Sequence, residues 1–238
     1  MKAETEEAQR LDTTPDRLAE LAEHNDWRVR KDVALNFHTP PNALAKLARD
    51  DDWSVRFQVA INTSTPPDTL AELTHDEDYS VRSGVARNVS APPSVLAQLI
   101  HDEDYSVRCD VAKNPSTPPE VLAELAEHGN RHVRKAVALN EATPPDTLAL
   151  LAHDKISIVR LAVTSNSATP PEALAQLAYD EDMGVRRDTA RNPHTPPDSL
   201  TKLLGDKNAD VRKAARNNPH TPTVSATELP QPPIMEIS

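Results

Sequence analysis

Eight arginines recur at a fixed interval of 26 residues, each directly after a valine: Arg30, Arg56, Arg82, Arg108, Arg134, Arg160, Arg186 and Arg212. Guanidinium groups in register could hold a row of phosphates. The competing role is to pair with a turn aspartate on the same or an adjacent repeat. Recurrence in every repeat favours pairing, because a stacking device needs many copies and a localised site does not. Asp-x-Asp turns at 50 and 52, 76 and 78, 102 and 104, and 180 and 182 offer carboxylates to a hard cation. No calcium-loop pattern follows them, and aspartate also caps helices well. His75, His101 and His153 share one position but lie at least a repeat apart, too far for common ligation at ~2 Å per bond. His128 and His132 flank a turn containing Gly129 and suit solvated roles. Cys109 stands where other repeats carry Lys, Phe, Ser, Leu or Arg, and as the single cysteine it excludes an intrachain disulfide or a cysteine-ligated cluster. There is no H-E-x-x-H, G-x-S-x-G or phosphate loop. No catalytic residue, metal site or cofactor is expected.

The elements that carry these residues are equally periodic. Thr-Pro-Pro begins at 39, 65, 117, 143, 169 and 195, with Ala91-Pro92-Pro93 and Thr13-Thr14-Pro15 in the same register. Eight repeats therefore start at 13, 39, 65, 91, 117, 143, 169 and 195 and end at 220, without insertion or deletion. Leucine fills the sixth place of every repeat (18, 44, 70, 96, 122, 148, 174, 200) and the ninth (21, 47, 73, 99, 125, 151, 177, 203). That i, i+3 pair is one face of a helix, helix A, about ten residues long by its pattern. Threonine as N-cap and proline in the first turn mark its start. An acidic turn follows, then Val-Arg-x-x-Val-Ala, whose valines four apart mark helix B. Asn36, Asn62, Asn88, Asn114, Asn140, Asn166, Asn192 and Asn218 end helix B, and asparagine tolerates the left-handed conformation common at such ends.

One repeat cannot stand alone. Its few apolar side chains, at ~1.5–3 kcal/mol for the larger ones, do not offset ~1–2 kcal/mol of backbone ordering for each residue. Stacking lets each repeat bury two faces. The expected fold is all-α: a solenoid of eight 26-residue helix pairs at 13–220, with no sheet, the sixteen leucines buried, an N-terminal extension at 1–12 and a proline-rich, disordered or extended tail at 221–238. In the last repeat Thr201, Ala215 and Arg216 replace more typical residues, as in a terminal cap.

The pattern T-P-P-x-x-L-A-x-L-A, an acidic turn, then V-R-x-x-V-A-x-N resembles the bacterial leucine-rich repeat variant family and, more distantly, HEAT-like repeats. The resemblance covers 13–220. It implies a right-handed superhelix of paired short helices, one of them 3₁₀ in some cases. The repeat here is slightly longer than the usual family unit. A cysteine cluster of the kind that holds an iron–sulfur centre in one member has no counterpart.

Composition bounds the function. With 37% hydrophobic and 3% aromatic residues, 22 prolines and 4 glycines, the chain suits stiff, punctuated structure. A net charge of -11 disfavours a general grip on nucleic acid. The start, MKAETEEAQR, lacks the apolar stretch of a secretory signal, and no segment has the ~18 apolar residues of a membrane span, so a cytoplasmic location is expected. The expected function is a non-enzymatic scaffold for a protein partner. The alternative is a HEAT-like nucleic-acid-binding or DNA-base-repair protein, which needs a continuous Lys/Arg groove and a catalytic carboxylate.

Partner recognition must come from places where the repeats disagree. Trp27, Trp53, Tyr79 and Tyr105 share one place, which later becomes Arg131, Ser157, Met183 and Ala209. Such rings suit either binding or packing beneath the turns. Repeats five and six lose the acidic turn, with Ile156 in place of Asp and with Arg131, Lys135, Leu139 and Leu161 nearby. On helix B the nineteenth and twenty-third places share a face, where Leu35, Phe57, Ile61, Leu139 and Leu161 are apolar and Arg87 and Lys113 basic. These residues are the candidate contact set, with filling of gaps between B helices as their alternative role.

Overall fold

The computed structural model describes residues 2–223; of the expected tail at 221–238, everything after 223 lies outside the described residues. The chain forms two compact units, Met1–Val121 and Leu122–Ser238. Among the described residues there are seventeen helices and no strand. After an N-terminal helix, Lys2–Gln9, each repeat contributes two. The A helices are Pro15–Leu21, Pro41–Leu47, Pro67–Leu73, Pro93–Gln98, Pro119–Ala126, Pro145–Leu151, Pro171–Leu177 and Pro197–Leu203. The B helices are Trp27–Leu35, Trp53–Ile61, Tyr79–Arg87, Tyr105–Lys113, Arg131–Leu139, Ser157–Ser165, Met183–Arg191 and Ala209–Asn217. Within each unit, neighbouring B helices pack on one another as in an α-solenoid. Both helix types are α-helical, so the 3₁₀ helix implied by the family resemblance does not occur in the repeats. No described helix is long and apolar enough to cross a membrane.

All sixteen leucines are buried, and the Val29–Val33 pair of helix B and its counterparts join them in the core. Helix A is six to eight residues, shorter than its pattern suggests. In repeats two to eight a double proline marks its start. The first, such as Pro40 or Pro66, is extended and stands at the N-cap without a side-chain acceptor, while the second starts the helix. Threonine is thereby pushed one place outside the helix. Its hydroxyl donates backwards to the end of helix B, Thr65 Oγ1 to Val59 O at 2.6 Å and Thr143 Oγ1 to Val137 O at 2.6 Å. Repeat one, which reads Thr-Thr-Pro, has the expected cap, with Thr14 Oγ1 accepting from Arg17 N–H at 3.3 Å.

The asparagine that ends helix B also acts differently from expectation. No described residue has positive φ; Asn62 and Asn88, at φ -70° and -69°, are extended. Its selection comes from hydrogen bonding. Asn88 Nδ2 donates to Ala60 O and Asn62 O, at 2.8 and 3.0 Å, on the preceding B helix, while its Oδ1 accepts from Ser90 N–H at 2.8 Å. Asn62, Asn114, Asn166 and Asn218 make the same double donation. Carbonyls that a helix end would otherwise leave without partners are satisfied by the next repeat.

The extension at 1–12 is part of this system. Its helix stands where a B helix preceding repeat one would be: Asn36 Nδ2 donates to Ala8 O and Arg10 O at 2.9 and 3.0 Å, and Thr13 Oγ1 donates to Glu7 O at 2.5 Å. Ala8 is fully buried, while Glu4, Glu7 and Gln9 face outward to varying degrees. It covers the apolar side of repeat one as a half-repeat, with Arg17 Nε paired to Glu7 at 2.9 Å.

Candidate binding surface

The arginine ladder is structural. Arg56 donates through Nε and Nη2 to both oxygens of Asp76, at 2.6 and 3.0 Å, and through Nη1 to Asp50 O at 2.8 Å. Arg82–Asp102, Arg134–Asp154, Arg160–Asp180 and Arg186–Asp206 repeat this bidentate pairing with an aspartate twenty residues ahead, as does Arg30–Asp50. The fork matches carboxylate geometry, and the pairs are largely buried. Arg108 breaks the series: residue 128 is histidine, and the buried Nε of Arg108 has no hydrogen-bond partner.

Both members of each Asp-x-Asp turn are therefore occupied. The first binds the preceding repeat's arginine, and its Oδ1 also accepts from the N–H two residues on, as Asp76 does from Asp78 at 2.9 Å. The second caps helix B, with Asp52, Asp78 and Asp104 accepting from Ser54, Ser80 and Ser106 N–H at 2.7–2.8 Å. Ile156 makes no such cap, so helix Ser157–Ser165 starts without one. Among the described residues no group of three or more His, Cys, Asp or Glu is placed to hold a metal ion. Cys109 is buried, and that burial pushes its thiol above the ordinary range, away from nucleophilic use.

These contacts make the turns acid-sensitive. Hydrogen bonds from Ser54 and Ser106 hold Asp52 and Asp104 below the usual carboxylate range. Burial raises the carboxyls of Asp154 and Asp206, but the bonds from Arg134 and Arg186 and from backbone N–H groups outweigh it and leave both lowered. A depressed carboxyl stabilises the fold above its unfolded value of about 3.9 and loses that contribution as pH falls through its lower folded value. The melting temperature should therefore drop as pH falls below about 4. Melts followed by circular dichroism at stepped pH check this, and a melting temperature unchanged down to about pH 2 would refute it.

Once the stacking residues are accounted for, the contact set divides. Trp53, Tyr79 and Tyr105, at the first position of their B helices, are 49%, 52% and 50% exposed, so they do not lie beneath the turns. Trp27 is half-buried, covered by the Arg28 guanidinium 4.7 Å from its ring centre and by Lys31 at 5.9 Å. Leu35 is exposed at the far end of the same helix face. Phe57 and Ile61 are half-buried and lie over Gly84, where a Cβ would stand 3.2 and 3.3 Å from them. Gap filling is thus part of their work. In the second unit Arg131 and Leu139 are exposed, while Lys135, Ile156 and Leu161 are half-buried. In an open cleft of about 420 Å³ lined by Arg187, Arg191, Lys213 and Asp210, Asp188 engages both arginines at 2.9 and 3.0 Å.

Exposed Leu11, Phe37 and Val89 were not singled out from the sequence. They share one register, the place after the helix-ending asparagine, but Thr63 and Pro115 interrupt the row and Leu11 lies before the first repeat.

The comparisons agree with this architecture. The profile of the leucine rich repeat variant matches residues 79–104, 131–155 and 159–182. A solved leucine-rich repeat variant, described as having a novel repetitive structural motif, is 30% identical over 86% of this chain and 81% of its own, with a TM-score of 0.66. The chain belongs to the leucine-rich repeat variant family. An engineered protein of known structure is 20% identical over 90% of this chain and 82% of its own, at a TM-score of 0.46. No curated protein matches. For this member of the leucine-rich repeat variant family, Val-Arg, the turn aspartate and asparagine are the stacking code, and the aromatic row stands outside it.

Proposed function

We propose that this protein is a non-enzymatic scaffold that binds another protein along the exposed face of its B helices. The observation that carries this reading is the row of half-exposed rings at Trp53, Tyr79 and Tyr105. Aromatic side chains exposed at a constant interval contribute little to stacking, and they are the residues most enriched at contact centres. The nucleic-acid alternative loses its main support, because six of the eight ladder arginines are committed to aspartates. A cytoplasmic setting suits a chain whose single cysteine is free.

The test is affinity capture from the source organism with three forms of the protein. Trp53→Ser/Tyr79→Ser should lose the proteins that the parent retains, whereas Lys46→Ser/Glu72→Ser, on exposed parts of the A helices, should keep them. Identical captures by all three forms would sink the reading.

A further inference from the structure

The aromatic row of the N-terminal unit runs beside an acidic edge, and both features are present in repeats two, three and four. Trp53, Tyr79 and Tyr105 are each preceded by three turn carboxylates: Asp50, Asp51 and Asp52; Asp76, Glu77 and Asp78; Asp102, Glu103 and Asp104. One carboxylate of each set is neutralised by Arg30, Arg56 or Arg82. Three acids against one guanidinium leave two negative charges per turn. Glu77 and Glu103 reach outward, with side chains 90% and 86% exposed, touching Arg56 and Arg82 only at 3.5 and 3.3 Å while those arginines bind Asp76 and Asp102 more closely. The following turn in sequence, His128-Gly129-Asn130, has no acid and is followed by Arg131 instead of a ring, and Asp154-Lys155-Ile156 after it keeps one acid and is followed by Ser157. A full acid set recurs at Asp180-Glu181-Asp182 before Met183, so only in repeats two to four does it stand beside a ring.

Repeat one shows what such a ring takes. Arg28 and Lys31 place two cations over Trp27. At the corresponding places Trp53 has Ser54 and Phe57, Tyr79 has Ser80 and Ser83, and Tyr105 has Ser106 and Cys109. In the repeats of Trp53 and Tyr79 the chain provides no cation from either position, while the full set of turn acids that would attract one is present.

We propose that the Trp53, Tyr79 and Tyr105 face binds an extended, cationic protein segment with lysine or arginine at about every third residue; this rests on the scaffold reading and names the chemistry of its partner. Each cation sits over a ring and beside an exposed acid, so the ring quadrupole and the carboxylate act together. The spacing follows from the fold. B helices pack side by side at about 8–10 Å, and an extended chain advances about 10 Å in three residues. Polyanions are excluded from this face by its sign.

The experiment is fluorescence anisotropy of the full chain with three labelled peptides of about ten residues: lysine at every third position, the same lysines in one block, and glutamate in place of lysine. The spaced peptide should bind about tenfold more tightly than the block, and the glutamate peptide should not bind. Trp53→Ala/Tyr79→Ala should weaken the spaced peptide about tenfold, and Glu77→Gln/Glu103→Gln should weaken it and flatten its salt dependence. If the alanine pair melts early, Trp53→Leu/Tyr79→Leu keeps apolar volume without the ring face and should show the same loss. Equal binding of spaced and block peptides, binding that survives loss of the rings, or preferential binding of oligothymidine would overturn the proposal. So would no binding at all. If capture still depends on Trp53 and Tyr79 in that case, the scaffold reading stands and only the cationic partner is wrong.

Discussion

Asp102→Ala should destabilise the protein by about 3–5 kcal/mol, the cost of leaving a buried charge without its counterion. The carboxylate it removes accepts from Arg82 Nε and Nη2 at 2.6 and 3.0 Å and from Asp104 N–H at 2.9 Å, all at once. Nη1 of Arg82 remains tied to Asp76 O at 2.8 Å, so the guanidinium cannot simply swing into water. Glu103, 3.3 Å from Nη2, offers partial compensation and favours the lower end of that range. Arg82→Met/Asp102→Leu should cost clearly less than Asp102→Ala, because it removes the charge together with its partner. Urea denaturation of the parent and both variants measures the difference. A loss below about 1 kcal/mol for Asp102→Ala would show that the ladder behaves as a set of solvated surface pairs.

Leu148→Ala should cost about 2–5 kcal/mol, and Leu150→Ala in the same helix less than about 0.5. Helix Pro145–Leu151 reads Pro-Asp-Thr-Leu-Ala-Leu-Leu, so composition alone does not rank its leucines. The repeat register does. Leu148 takes the sixth place and is 0% exposed, whereas Leu150 takes the eighth, a place otherwise filled by Glu, Lys or Gln, and is 53% exposed. Truncating the first opens a cavity between helices; truncating the second removes surface already in water. Equal losses in denaturant would mean that helix A does not present the face assigned to it.

Most of the fold was legible because each repeat restates the same demands. Leucine at the sixth and ninth places and valine four residues apart on helix B are apolar faces in any context, and all sixteen leucines are indeed buried. The pairing of the arginines was legible for the same reason, although the sequence did not reveal that in six repeats the partner lies twenty residues ahead. Local propensity misled where tertiary bonds decide. Asn62 was expected to end its helix by conformation, but it is extended and retained for bonds to Ala34 and Asn36 carbonyls. Threonine was expected to cap helix A, but the extra proline hands it to the preceding helix B. The helix at Lys2–Gln9 was missed because Glu7 stands where repeat one has Val33, leaving Ala8, 26 residues before Ala34, as its register mark. The aromatic row was found at its correct place, but its exposure depends on where helix B begins relative to the turn, which spacing alone does not give.

The asparagine and arginine links span different distances along the chain. Asn88 reaches back 26 and 28 residues to Asn62 and Ala60, while Arg82 reaches forward 20 to Asp102. Together they measure the repeat twice, as two gauges of unequal length would. One added residue between Arg82 and Asn88 would leave the arginine's reach to Asp102 too long by one while moving Asn88 off both carbonyls; one added in the next acidic turn would displace Asp102 from Arg82 and carry Asn114 out of phase with Ala86. The two gauges agree at a single length. Changes of length inside the solenoid that keep both links are thereby whole multiples of 26 residues, so a longer or shorter array gains or loses complete repeats and keeps the spacing between those that remain.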